Sequence, residues 1–272
     1  MQVKLRKAVR ESDSRKPGFA NMVFRLERTG VPLHHALSRI VADAGSILDL
    51  RGLSARLLRD VAGDTSAFNP LLVEYIAAGD VKLPELRQVI QSMRYGCNRL
   101  TLPEFETLYS ALRSGTFEQR HWVVNEIAFF RGYRVRRALI EVLEDMTIPP
   151  SVRGWAAEGL HLHMSQETTR ACIRATGDPS PEVRFWAVFA LGSADRPIFR
   201  EAVIPVVERM LTDEGIAPGW WSVRREAQAV LASIRGRPDE ENRFQAEVQL
   251  ILKDATASEE DKRWAGFNDC QS

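Results

Sequence analysis

The stretch from Asp178 to Ser193, which reads DPSPEVRFWAVFALGS, decides the fold. It begins with a turn that contains two prolines and continues directly into an apolar helix. Altered forms of the same helix start occur elsewhere, as EQRHWVVNEI from Glu118, SVRGWAAEGL from Ser151 and SVRREAQAVL from Ser222. A unit that returns every few dozen residues is typical of stacked helix pairs.

The units carry similar residues in the same columns when they are aligned on Val183. Three residues after the Val position lie Trp122, Trp155, Trp186 and Glu226. Eight residues after it lie Ile127, Leu160, Leu191 and Leu231. The spacing between units is the period of helical solenoids. We therefore predict an all-α fold, a right-handed α-solenoid of stacked antiparallel helix pairs.

The sequence divides into four segments. Residues 1–18 form a charged N-terminal arm, either a short helix or a loose terminus, and 19–116 form a helical region in which continuation of the stack is left open. The regular repeats occupy 117–253. The polar tail, 254–272, is expected to fray, with the alternative that Trp264 and Phe267 fold back as a cap.

A short internal duplication precedes the regular repeats. Residues 83–96 read LPELRQVIQSMRYG and residues 102–115 read LPEFETLYSALRSG. Each copy has Pro near its start and Gly near its end, as helices prefer. Thr101 and Glu104 have the spacing of a capping box. The pattern predicts two similar helices.

The composition indicates a globular protein without a strong charge bias. Hydrophobic residues make up 44% and charged residues 27% of the chain, with a net charge of +1, so no global charge excess drives binding to nucleic acid or an anionic membrane. The sequence contains no apolar run long enough to span a membrane and no secretory h-region. Its three cysteines lie far apart, which favours reduced thiols. We expect a cytoplasmic location and no membrane binding.

The pattern D-x-x-x-x-V-R-x-x-A-x-x-A-L-G resembles the HEAT repeat, specifically the short bilin-lyase (PBS lyase-like) subtype. The residues that meet it are Asp178, Val183, Arg184, Ala187, Ala190, Leu191 and Gly192. The resemblance covers about residues 117–235. It implies that Arg184 pairs with the turn residue Asp178 and bridges neighbouring repeats. By the same resemblance, we interpret Arg120, Arg153, Arg184 and Arg224 as structural.

Two phenylalanines in the clearest repeat point away from its core face. Phe185 and Phe189 lie one helical turn apart. The neighbouring repeats place His121, Glu158 and Arg225 in or beside the same columns. We predict that these five residues form an exposed partner-binding patch on the concave face, because exposed apolar patches mark interaction sites.

The tryptophans leave two interpretations open. Trp122, Trp155 and Trp186 lie at the edge of the apolar face, where they either fill the core between repeats or form a stacking surface. Trp220 and Trp221 extend the candidate surface. The Trp pair is also similar to the one in HEAT-like alkylpurine DNA glycosylases, but their catalytic Asp is missing beside it.

Familiar signatures of catalysis and metal binding are absent from the sequence. No P-loop, GxSxG, HExxH or CxxC motif occurs, and the pairs His34–His35 and His161–His163 each present at most one ligand to a common point. If the repeat alignment is right, Glu126 lies on the core face as a buried carboxylate. The alternative is that this repeat is misaligned by one residue. We expect no catalytic residues, metal or cofactor.

The leading hypothesis is a non-enzymatic α-solenoid that captures a partner protein on its concave face. The HEAT family includes scaffolds, adaptors and bacterial immunity proteins, so the resemblance implies an adaptor or an immunity protein that blocks a toxin. DNA is the second choice of partner. The alternatives are a HEAT-like glycosylase that acts on alkylated purines through Glu126 or Glu226, and a bilin-lyase-like subunit. The fold alone does not choose among them.

Overall fold

The computed structural model describes residues 2–13, 17–43, 48–63, 73, 99–194, 197–236 and 238–269. These residues form helices and turns, with one isolated antiparallel bridge between Ile216 and Ser222. The predicted all-α class is confirmed. The chain divides into two compact units, Met1–Val123 and Val124–Ser272.

Unit 1 contains five described helices and the start of a sixth. The five are α1 (Gln2–Ser12), α2 (Phe19–Arg28), α3 (Leu33–Ala42), α4 (Leu48–Leu57), which continues into a π-helical turn (Leu58–Ala62), and α5 (Leu102–Ser114). Of the two alternatives for the N-terminal arm, a short helix or a loose terminus, the structure has the helix over α1. Leu5 and Val9 are fully buried, and α1 packs against α2 and α3. Two apolar side chains one turn apart give this charged helix a face that can dock.

Helix α5 begins with the predicted capping box. The backbone N–H of Thr101 donates to Glu104 Oε2 at 2.7 Å, and the Thr101 side chain faces the backbone of the first turn. This arrangement satisfies two of the amide groups that a helix start leaves unpaired. The other copy of the duplication, 83–96, lies outside the described residues.

Unit 2 is an α-solenoid of helix pairs. Helix α6 (Phe117–Ile127) spans the division between the units, and the helices that follow are α7 (Tyr133–Glu144), α8 (Pro150–Gly159), α9 (Gln166–Ala175), α10 (Pro181–Leu191), α11 (Pro197–Arg209), α12 (Val223–Arg235), α13 (Pro238–Lys253) and α14 (Glu259–Asp269). One layer stacks α8, α10 and α12, and the opposite layer stacks α7, α9 and α11. No helix in the described part of the chain is both long and apolar enough to cross a membrane.

The core of unit 2 follows the repeat columns. Val183, Ala187, Ala190 and Leu191 are fully buried in α10, as the predicted apolar face requires. The small Ala side chains let neighbouring helices approach closely. Gly159 at the end of α8 marks an even closer contact, because a Cβ atom there would lie 2.6 Å from Ala128 Cβ.

Replacing Gly159 with Ala is expected to lower the free energy of unfolding by about 1–3 kcal/mol, because the added methyl overpacks the core. Urea unfolding monitored by tryptophan fluorescence measures the change. Gly266→Ala in α14 is the matched control: nothing lies within 4 Å of its added Cβ, so it should stabilise the helix by up to about 1 kcal/mol. An unchanged midpoint for Gly159→Ala would contradict the close contact.

The arginines connect neighbouring repeats, but the pairing predicted for Arg184 is wrong. The Asp178 carboxylate pairs with Arg153 of the preceding repeat. Arg184 instead donates from Nε and Nη2 to the Asp213 carboxylate, at 2.6 and 2.9 Å, and from Nη1 to the Asp178 backbone oxygen at 2.9 Å. Each guanidinium reaches forward because its helix stacks against the first helix of the next repeat. Arg224 differs, because it pairs at 2.9 Å with Glu214 of the turn before its own helix.

The C-terminal segment is a docked cap. Trp264 of α14 is fully buried, and its Nε1 donates to the backbone oxygen of Arg225 at 3.0 Å. The Arg225 guanidinium lies 4.6 Å from the centre of the Trp264 ring and donates to Asp261. The expected fraying is therefore wrong over Glu259–Asp269, since α14 covers the open end of the repeats.

Candidate functional site

A cavity of ≈ 570 Å³ lies within unit 2 and is lined by aromatic rings from successive repeats. The main contributors are Trp155 of α8, Trp186 and Phe189 of α10, Trp220 and Trp221 of the turn before α12, and Phe267 of α14. Three repeats and the C-terminal cap thus meet at one site. A volume in this range suits a small ligand or a few side chains.

The repeat register brings the first two indoles together. Trp155 and Trp186 occupy the same column of neighbouring repeats, and because α8 packs against α10, their rings stack with centroids 5.4 Å apart at 27°. Trp155 remains half-buried, whereas Trp186 is buried. The two sequence interpretations of the Trp column therefore hold together here, since the rings pack between repeats and also line a cavity.

The turn before α12 adds the Trp220–Trp221 pair. Gly219 adopts the left-handed backbone conformation with φ 82°, which few other residues accept. The bridge between Ile216 and Ser222 closes the turn. Trp220 then meets the Trp186 ring in a T-shaped contact with centroids 5.2 Å apart. The turn is thus held in place by its own backbone and by aromatic packing.

Helix α14 supplies the last wall of the cavity. The Phe267 ring centroid lies 5.3 Å from that of Trp221 and 6.4 Å from that of Trp220, and the residue is 47% exposed. The cap anchored by Trp264 thus holds a partly exposed ring at the cavity.

Two carboxylates belong to the lining. Glu226 of α12 is only 5% exposed, and its Oε2 accepts a hydrogen bond from Trp221 Nε1 at 2.8 Å. Burial raises the pKa of Glu226 to about 7, while the Trp221 hydrogen bond opposes that shift. Glu158 of α8 is half-buried. Among the described residues that line the cavity, none is Lys, Arg or His.

The prediction of an exposed Phe185 is wrong. Phe185 is 1% exposed and packs against the Trp186, Trp221 and Trp220 rings, with centroids 5.1, 5.9 and 6.0 Å away. The cause is the turn before α12, which covers this face of α10. Phe189 is half-buried and does line the cavity, with His161 in edge contact at 5.3 Å.

Arg225 is not an exposed binding residue either. It is buried and donates to Asp261, Glu247 and Gln228. Because it also underlies Trp264, it anchors the C-terminal cap and does not belong to the cavity lining. Its burial removes it from the predicted exposed patch.

His121 and Trp122 belong to unit 1. His121 is half-buried, which lowers its pKa, and its ring stacks on Phe117 with centroids 6.0 Å apart. Trp122 is buried, as core filling requires. Neither lines the cavity. Of the predicted patch, the structure therefore brings Phe185, Phe189 and Glu158 to the cavity and leaves His121 and Arg225 out of it.

The remaining polar candidates have structural partners. His161 Nδ1 lies 2.6 Å from the Glu158 backbone oxygen, and His163 Nε2 lies 2.7 Å from the Ala128 oxygen. Within the described residues, His, Cys, Asp and Glu do not form groups of three or more that could hold a metal ion. Glu126 is buried, so the alignment register is right and the one-residue error is wrong.

Sequence reasoning considered Glu226 but missed its position at the cavity. The signal was present, because Glu226 stands in the repeat column that Trp122, Trp155 and Trp186 occupy. A carboxylate in a column of tryptophans must lie among rings once the repeats stack. Phe267 was expected only as part of a cap, and its place at the cavity depends on how α14 docks.

Comparisons with known proteins agree with the repeat assignment. Residues 137–232 match the family model of HEAT repeats, which confirms the HEAT resemblance over that segment. No curated protein matches the sequence. One similar solved structure is the crystal structure of an engineered protein, with 16% identity over 98% of this chain and 68% of the other, at a TM-score of 0.38. HEAT repeats commonly mediate protein–protein interaction.

Proposed function

We propose that the HEAT repeats of unit 2 form a non-enzymatic binding module whose partner protein inserts side chains into the aromatic cavity. The observation that carries this proposal is the convergence of rings from three repeats and the cap on one cavity of ≈ 570 Å³. The binding site is therefore the cavity beside α10, instead of an open Phe185 patch.

The chemistry of the lining suits a protein partner. Tryptophan is enriched among the residues that contribute most to protein interfaces, because a rigid ring buries a large area with little loss of freedom. Trp155 and Trp220 are half-buried, so part of each residue remains exposed to solvent. Phe267 adds a partly exposed ring. The cavity offers an anchor point of the kind that side chains of a partner fill.

We place the partner in the class that the family resemblance implies. The module would act in the cytoplasm, either as an immunity protein that binds a toxin or as an adaptor that carries another protein. Both functions need a preformed surface and no catalysis, which agrees with a lining that is rich in aromatic rings.

The test is partner capture by the full-length protein from cells of its source organism. We expect the double variant Trp155→Ser/Trp220→Ser to lose at least about a hundredfold in affinity for the purified partner, since truncating two interface anchors typically removes this much. Leu250→Ser, which removes a strongly exposed apolar side chain of α13 away from the cavity, should bind like the wild type. Circular dichroism checks that helicity is kept. Unchanged binding by the folded double variant would contradict the proposal.

A second candidate function is a glycosylase that acts on alkylated purines, and one observation favours it. The Trp221–Glu226 hydrogen bond of 2.8 Å places a carboxylate beside the Trp pair, where adjacent sequence positions offered none. Release of methylated purines from alkylated DNA decides between the two. Release by the wild type that Glu226→Gln abolishes would establish the enzyme, and no release would dismiss it.

A further inference from the structure

We infer that the aromatic cavity selects a basic side chain, arginine or lysine, of the partner protein. This inference rests on the proposed function and specifies the chemistry of the group that enters. Three observations support it: the lining contains acidic and no basic residues among those described, Glu226 has no cationic partner there, and aromatic rings surround the cavity.

The charge of the lining is negative. Glu158 and Glu226 line the cavity, and none of the described residues that line it is basic. The other polar groups of the lining that face it from the packed elements include Gln245 of α13 and Asn268 of α14, which are neutral amides. A buried carboxylate such as Glu226, with no basic residue in the described lining, attracts a cation from outside.

The Glu226 carboxylate is buried without a cationic partner among the described residues. Trp221 Nε1 is its one side-chain hydrogen-bond donor there, and a neutral indole does not compensate a buried charge. Carboxylates at this depth ordinarily pair with a cation or shift their protonation. An incoming guanidinium or ammonium group supplies the missing partner through charge-assisted hydrogen bonds.

The rings around the cavity suit the rest of a basic side chain. Indole faces attract cations more strongly than other aromatic rings, and a guanidinium also stacks flat on them. The aliphatic stem of Arg or Lys covers apolar surface while its charged head reaches a polar group. Trp155, Trp186 and Trp220 can contact the stem while Glu226 receives the head. A neutral apolar group would instead desolvate Glu226 further and leave its charge unpaired.

The experiment compares two peptides that have nearly the same shape but differ in the charge of one side-chain head group. Acetyl-glycyl-arginyl-glycinamide is the probe, and the same peptide with citrulline, the neutral isostere of arginine, is its control. Indole N–H signals of ¹⁵N-labelled full-length protein report binding at a pH above 7. We expect the arginine peptide to bind roughly tenfold or more tightly, the gain that cation–π and charge-assisted contacts give. Trp155, Trp186, Trp220 and Trp221 signals should shift.

Internal and engineered controls locate the effect. Trp122 and Trp264 do not line the cavity, so their indole signals should stay in place. Glu226→Gln should reduce the arginine-to-citrulline affinity ratio to about threefold or less, because a neutral amide keeps the shape and removes the charge. Glu201→Gln, on the exposed side of α11, should leave the ratio unchanged.

The outcomes separate this inference from the proposed function. Equal shifts by both peptides, or no indole shift by either peptide at tens of millimolar, would overturn the basic side chain. Protein capture that depends on Trp155 and Trp220 would still stand in both cases. Conversely, unchanged capture by the double serine variant would overturn the protein-binding site, while the peptide pair would still report cation preference.

Discussion

Replacing Glu226 with Gln is expected to raise the free energy of unfolding by about 3 kcal/mol near pH 8 and to leave it nearly unchanged near pH 4. Burial raises the pKa of Glu226 from its ordinary 4.5 to about 7. The folded protein therefore holds this proton more tightly than the unfolded chain does. The stability that protonated Glu226 contributes is present below pH 4.5 and is lost as the pH rises to 7. Gln cannot ionise, so it retains that stability at every pH.

The Glu226→Gln substitution should remove the charge and keep the hydrogen bond to Trp221. The Gln side-chain oxygen can accept the same hydrogen bond from Trp221 Nε1 that Glu226 Oε2 accepts at 2.8 Å. Urea unfolding of the wild type and Glu226→Gln across this pH range measures the difference, with Glu201→Gln as the exposed control. If the difference in the free energy of unfolding does not change with pH, Glu226 has the same pKa in the folded and unfolded states, and the prediction is wrong.

The same substitution should therefore strengthen the fold and weaken binding of a cation. A buried charge that destabilises the free protein is retained where a bound group compensates it, which is the usual conflict between stability and function at binding sites. The binding of a cation also favours the ionised carboxylate, so affinity for the arginine peptide should rise as the pH increases through 7.

The parts of the fold that follow from local periodicity were predictable. Val183, Ala187 and Leu191 recur at helical spacing, and the structure buries all three. The repeat period also placed Trp155 and Trp186 in the same column of adjacent repeats, but it left open whether they fill the core or form a surface. These features depend on residues close in sequence and on one simple stacking rule.

The site required information that periodicity does not contain. Phe185 points away from the repeat core, and only the turn that carries Trp220 and Trp221 decides that it is buried. The position of that turn depends on contacts between repeats. Contacts between repeats also explain why the predicted Arg184–Asp178 ion pair is wrong. The Asp178 carboxylate pairs with Arg153 of the preceding repeat, and Arg184 pairs with Asp213. The position of a residue in the repeat predicts the direction in which its side chain points, but not which other segment of the chain packs over it.

Replacing Arg153 with Ala is expected to lower the free energy of unfolding by about 3–5 kcal/mol, because it leaves a buried carboxylate without its cation. The Arg153 and Asp178 side chains are 3% and 6% exposed. Arg153 Nε also donates to the Ile148 backbone oxygen at 3.1 Å. The substitution therefore breaks a link between two repeats and a contact that fixes the preceding turn.

The matched control is Arg174→Ala, which breaks an ion pair between helices at the surface. Arg174 and its partner Glu144 are 60% and 44% exposed, so solvent screens the pair and the loss should be at most about 1 kcal/mol. Urea unfolding monitored by the fluorescence of the cavity tryptophans measures both variants.

The double variant Arg153→Ala/Asp178→Ala should recover part of the loss, since it removes the unpaired charge as well. Equal losses for Arg153→Ala and Arg174→Ala would show that the buried pair does not hold the repeats together. The expected order, with the buried pair far ahead of the exposed one, follows from burial and from the additional hydrogen bond of Arg153 to the Ile148 backbone oxygen.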